Sequence, residues 1–199
     1  LYMEKTITQT INSSQEVLAE NERRTVAIDT PFDPISGEGS VGERFKLELS
    51  DFFVKVQYLP VAMKQIPFIE LLAKAGSIRK FIEGIGAKYS VSDKNKVVDQ
   101  FTRLRYQHDF AFWAFVKVMI SRKGGGDDIH FRLNRQQRRL VSVFERQRLA
   151  GKPIRVVLAK SRQWGGSTVT QIYMAWIQLV IKPGANSLIV GHQKDSSVE

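Results

Sequence analysis

Nine consecutive residues, Lys160-Ser161-Arg162-Gln163-Trp164-Gly165-Gly166-Ser167-Thr168, combine cations, glycines and hydroxyls in an order suited to holding phosphate. The reference pattern is the Walker A loop, G-x-x-x-x-G-K-[ST], set between a strand and a helix. Its backbone amides curl around phosphate, and the helix N-terminus adds positive potential. Placed on that pattern, Gly165 is the second glycine and Ser167 is the hydroxyl that ligates magnesium. Two positions depart from it. Lys160 stands where the first glycine belongs, and Gly166 stands where the lysine belongs. The cation has moved to the front of the loop, and Arg162 offers a second one. Gly165-Gly166 lets the backbone approach a phosphate closely. A purely structural Gly-Gly turn joining a strand to a helix is the rival reading of the same residues.

The elements on either side must hold such a loop in place. Asn134 can cap a helix from Arg135 to about Leu149, with Gly151 as its stop. Leu140, Val141 and Phe144 face inward and the arginines outward. Pro153 to Ala159 is a short apolar run suited to a buried parallel strand. Ser167 to Ile181 reads as a second helix, with Val169, Ile172, Tyr173, Trp176, Leu179 and Val180 on one stripe. Pro183 and Gly184 end it, and Ser187 to Val190 reads as another strand. Helix, strand, loop, helix, strand is the start of a βαβ unit, so the expected class is α/β, the opening of a parallel P-loop sheet.

Upstream the pattern differs. Residues 1–44 read as a polar, flexible arm with a short strand at Thr25–Ile28. Residues 45–129 read as a mainly helical subdomain. Phe68, Leu71 and Leu72 have helical spacing, as do Ile78, Phe81 and Ile82. Ser92 to Arg122 reads as helix, with Phe101, Leu104, Phe112, Trp113 and Val116 on a broad apolar face. That spacing favours core packing over base stacking. Gly124 to Asp128 reads as a solvated loop. Residues 130–199 then read as the first part of a P-loop domain.

The loop and its flanks resemble the large terminase subunits of phages, the ATPases that package viral DNA. Lys160 at the front matches one variant of that family's loop, and Ser161-Arg162-Gln163 matches its other common wording. Phe131 to Leu140 resembles the family's adenine-recognition segment, in which a glutamine reads the base edge and an aromatic nearby can stack. Gln137 is the first choice for that role, Gln136 the alternative, and Phe131 the aromatic. Ser187 to Asp195 resembles the strand and turn after the family's first helix. The likeness covers roughly the last seventy residues. It implies ATP and Mg2+ as cofactors, with Lys160 on phosphate, Gly165 and Gly166 supplying amides, Ser167 on magnesium and Thr168 beside it. It offers Arg162 as an arginine finger, against the alternative of a surface arginine. It implies an ATPase that drives double-stranded DNA into a procapsid, with portal protein, a small terminase subunit and ring self-association as partners. The setting it implies is the host cytoplasm. The family's Walker B strand ending in Asp-Glu and its nuclease domain do not occur before Glu199. Weak nucleotide binding and little hydrolysis by these residues alone are therefore expected. A helicase-type P-loop ATPase and a basic nucleic-acid-binding module remain as alternatives.

Composition agrees with a polyanionic partner. Thirty Lys and Arg face twenty Asp and Glu, a formal charge of +10. From Phe131 to Gln163 the basic residues are dense and Glu145 is the sole acid. The absence of cysteine excludes disulfides and thiolate metal sites. No run approaches the roughly 20 apolar residues that span a bilayer, so no membrane partner is expected.

Overall fold

A computed structural model describes residues 13–19, 21–23, 26, 30–39, 43–122, 124–158 and 164–186. The chain divides into two compact units, residues 1–115 and 116–199. Residues 13–19 and 21–23 are helical, as is Val26, the one described residue of the strand expected at Thr25–Ile28.

In the first unit, β1 (Arg44–Glu48) pairs antiparallel with β2 (Val56–Pro60), Phe45 opposite Leu59 and Leu47 opposite Gln57. A 3-10 turn, Val61–Gln65, leads into α1 (Pro67–Ala75), α2 (Ile78–Gly84), α3 (Val91–His108) and α4 (Phe110–Lys117). Pro67 opens α1 at a position that needs no N–H. Ser77 caps α2 by accepting the Lys80 N–H, and Ser90 caps α3 by accepting the Asp93 N–H. The hairpin departs from the helical expectation for this region, and Phe45, Leu47, Leu49 and Leu59 enter the core in strand alternation. Ile69, Leu72, Ile78, Phe81, Ile82, Val97 and Phe101 complete that core. Leu71, expected on the buried face of α1, is 51% exposed, and Ile69 takes its place.

The helix expected over 92–122 breaks at Asp109, because the Asp109 carboxylate is committed elsewhere. Arg44 donates to it through both Nη atoms at 2.7 Å, and Arg105 donates through Nε at 3.2 Å. Arg105 also donates to Gln57 Oε1 at 2.8 Å and lies 4.0 Å from the Phe112 ring centroid. Asp109 then accepts the Phe112 N–H and starts α4. Burial would raise the Asp109 carboxyl, but the Arg44 and Arg105 guanidiniums outweigh it and hold it below the usual range. Residues 31–39, expected in the flexible arm, fold back on this unit. Asp33 accepts the Ile35 N–H and the Ser36 hydroxyl, and the Ser36 carbonyl accepts the Tyr58 N–H.

The second unit contains a short antiparallel pair, β3 (Met119–Ile120) with β4 (Ile129–His130), closed over the Gly124–Asp128 turn. The Phe131 N–H bonds to the Val118 carbonyl, which ties the following segment to it. Helix α5 (Arg135–Leu149) and helix α6 (Gly166–Trp176) pack together, and a π turn (Ile177–Ile181) follows α6. The extra residue in that turn rotates the apolar stripe, so Leu179, expected inside, is 70% exposed.

The described residues are thus mixed helix and strand with two small antiparallel sheets, and they contain no parallel P-loop sheet. Residues 152–158 have no strand pairing. A strand exists by bonding to a neighbour, and the expected neighbour, 187–190, lies outside the described residues. Ala159 lies outside them as well. Side chains in this segment still alternate. Ile154, Val156 and Leu158 line a cleft of about 440 Å3 with Leu140, Phe144 and Tyr173, while Val157 is fully exposed. Ile154, Val156 and Leu158 remain about 40% exposed, so the alternation is one of degree. Among the described residues no helix is long and apolar enough to cross a membrane.

Candidate phosphate-binding site

Lys160, Ser161, Arg162 and Gln163 lie outside the described residues. The described part of the site is the exit of the loop, Trp164 to Thr168, and the start of α5. Gly165 is the N-cap of α6 with φ of 80°, the left-handed region that an L side chain rarely adopts. Gly166 is buried, whereas Ser167 and Thr168 are exposed on the first turn. The first amides of a helix have no partner within it. Ser167 and Thr168 stand exposed in that same first turn.

Two side chains from α5 hold this exit. Asn134 and Gln137 form a capping box: Asn134 Oδ1 accepts the Gln137 N–H at 2.9 Å, and Gln137 Oε1 accepts the Asn134 N–H at 2.9 Å. The remaining amide groups reach across. Asn134 Nδ2 donates to the Trp164 carbonyl at 3.0 Å, and Gln137 Nε2 donates to the Gly165 carbonyl at 3.0 Å. Two successive carbonyls are thereby fixed by one helix cap. The sequence showed Asn134 only as a cap; its spacing to Gln137 is the capping-box signature, and the bridge to the loop has no local signal.

Both glycines lie against neighbouring side chains. A Cβ at Gly165 would lie 2.6 Å from Gln137 Nε2. A Cβ at Gly166 would lie 2.7 Å from the Trp164 ring. The indole therefore occupies the space into which a side chain at 166 would leave the backbone. Trp164 is half-buried, whereas Trp113 and Trp176 are buried.

Gln137 is 5% exposed and Phe131 3% exposed, so both face the interior. Gln136 is the exposed amide at the start of α5. Behind the site, Tyr173 donates to Glu145 Oε1 at 2.5 Å, and Arg148 donates to both Glu145 oxygens at 2.8 and 2.7 Å. Burial and the Glu145 carboxylate together push the Tyr173 hydroxyl well above its ordinary value. Burial disfavours the Arg148 charge, but Glu145 overrides it and raises that group too. Phe144, Tyr173 and Trp176 pack in series as tilted rings, with centroids 5.0 and 5.4 Å apart. This clamp sets the spacing of α5 and α6. Among the described residues no three His, Asp or Glu side chains gather to hold a metal.

Comparison of the chain with protein-family models, with curated proteins and with solved structures found no match.

Proposed function

We propose that the second unit binds ATP with magnesium through residues 160–168, and that the chain is part of a terminase-type motor that moves double-stranded DNA. One observation carries the nucleotide reading: a left-handed glycine, pinned by Asn134 and Gln137, opens directly into an 11-residue helix whose first exposed side chains are Ser167 and Thr168. Anions favour such a helix start because amides and helix dipole act together. In this reading Lys160 supplies the charge on phosphate, Ser167 holds magnesium and Arg162 is the candidate finger. Gln137 braces the loop and Gln136 is the amide exposed to a base. Portal protein, a small subunit and ring self-association remain implications of the terminase resemblance.

A second reading has its own support. Both ends of the Gln137 side chain are engaged within the protein, as they would be where the Gly-Gly turn is purely structural in a basic nucleic-acid-binding module. Calorimetric titration of the 199-residue chain with MgATP separates the two. The motor reading expects saturable binding that Lys160→Ala abolishes. Absence of binding, or binding indifferent to Lys160→Ala, would favour the structural turn.

A further inference from the structure

The charge of this molecule is segregated between its two units. Residues 1–115 carry fifteen basic and fifteen acidic side chains; residues 116–199 carry fifteen basic and five acidic. The whole excess of +10 therefore belongs to the second unit. Within it, α5 buries Gln137, Leu140, Val141 and Phe144 on one face. At about 100° per residue, Arg135, Arg139 and Arg146 fall within roughly 40° of one another on the opposite face. All three are exposed. They form a stripe about 16 Å long at 1.5 Å per residue.

The only carboxylate of α5, Glu145, lies on the flank toward α6 and is held by Arg148 and Tyr173. Its charge is spent inside the unit. A row of guanidiniums of this length matches several successive phosphates of one strand, which are about 3.4 Å apart along a duplex axis. Arginine also suits phosphate better than a point charge does, because its planar fork can donate two bonds at once.

We infer that the outer face of α5, through Arg135, Arg139 and Arg146, is the surface on which this protein tracks the backbone of double-stranded DNA. The inference rests on the duplex-DNA part of the function proposed above and is independent of the nucleotide part. Contacts to phosphate alone carry no base information, so binding is insensitive to sequence and steeply sensitive to salt.

The test is fluorescence anisotropy of a labelled duplex with the full chain over a salt series. The triple variant Arg135→Gln/Arg139→Gln/Arg146→Gln is compared with a charge-matched control, Lys64→Gln/Lys80→Gln/Lys88→Gln, in the first unit. Circular dichroism and MgATP titration accompany each. The slope of log K against log salt should become shallower by about 0.9 for each phosphate that is no longer neutralised. For three arginines that is about 2.7 in the α5 variant, with little change in the control. Equal changes in both variants, no change in the α5 variant, or no duplex binding by the unaltered chain would overturn the inference. Retained MgATP binding in that last case leaves the nucleotide reading intact. Duplex binding without MgATP binding does the reverse.

Discussion

Gly165 and Gly166 show how much of this site is decided by single atoms. At Gly165, alanine meets two penalties at once: a left-handed backbone, costing roughly 1–2 kcal/mol for an L residue, and a contact with Gln137 Nε2 at 2.6 Å. Gly165→Ala should therefore destabilise the second unit by about 2 kcal/mol or more. Removing the obstacle with Gln137→Ala in the same chain should recover part of that loss. Chemical denaturation of the four members of this cycle measures the coupling, and strict additivity would refute the contact. At Gly166 the obstacle is the Trp164 ring. Gly166→Ala should push the indole outward at a cost of about 1–3 kcal/mol and shift tryptophan emission to the red. Trp164 dominates such a shift because Trp113 and Trp176 are buried. The sequence made the two glycines conspicuous. It could not show that the Trp164 ring lies against Gly166, because that depends on how an aromatic folds back over two residues.

At the scale of elements, the helices were legible where capping and periodicity agreed. Helix α5 runs from Arg135 to Leu149 with Asn134 as its cap, as the residues indicate. Gly151, in the left-handed region, follows its end. The β1–β2 hairpin was missed although Arg44–Glu48 and Val56–Pro60 alternate; each is only five residues long. Short strands declare themselves through pairing, which is non-local. The Asp109 break was missed for a similar reason, since its cause is Arg44, sixty-five residues earlier. Asp109→Asn leaves Arg44 and Arg105 uncompensated in a buried site. It should cost about 3–5 kcal/mol, read as a lowered denaturation midpoint of the first unit. The pH dependence has a definite sign. The folded Asp109 carboxyl titrates below its ordinary value, so its contribution is complete above about pH 4 and fades as pH falls toward the folded value. A pH–stability profile of the unaltered chain should show that acid loss, and the Asn variant should lack this component. On the other unit, Tyr173→Phe removes one charged hydrogen bond but leaves Glu145 paired with Arg148. The expected cost is about 1.5–3 kcal/mol, and a neutral result would mean that the packed rings alone set the helix spacing.

Across the whole molecule, the two units carry very different net charge, and the nucleotide and DNA readings both fall on the second. Its parallel-sheet assignment had a clear local basis in Pro153–Ala159, yet a strand needs a partner, and residues 152–158 have none among the described residues. The alternation of Ile154, Val156 and Leu158 along the cleft with Val157 outside is the part of that expectation visible in the structure. The central claim, that the Gly-Gly join is a phosphate site, depends on charge at a helix start rather than on the sheet. It is tested most directly by comparing the equilibrium binding of ATP, ADP and AMP, with and without magnesium, to the chain and to Ser167→Ala. A phosphate-reading loop binds ATP and ADP far more tightly than AMP, and Ser167→Ala removes most of the magnesium dependence. Equal affinity for all three nucleotides, or no binding of any, would contradict the account.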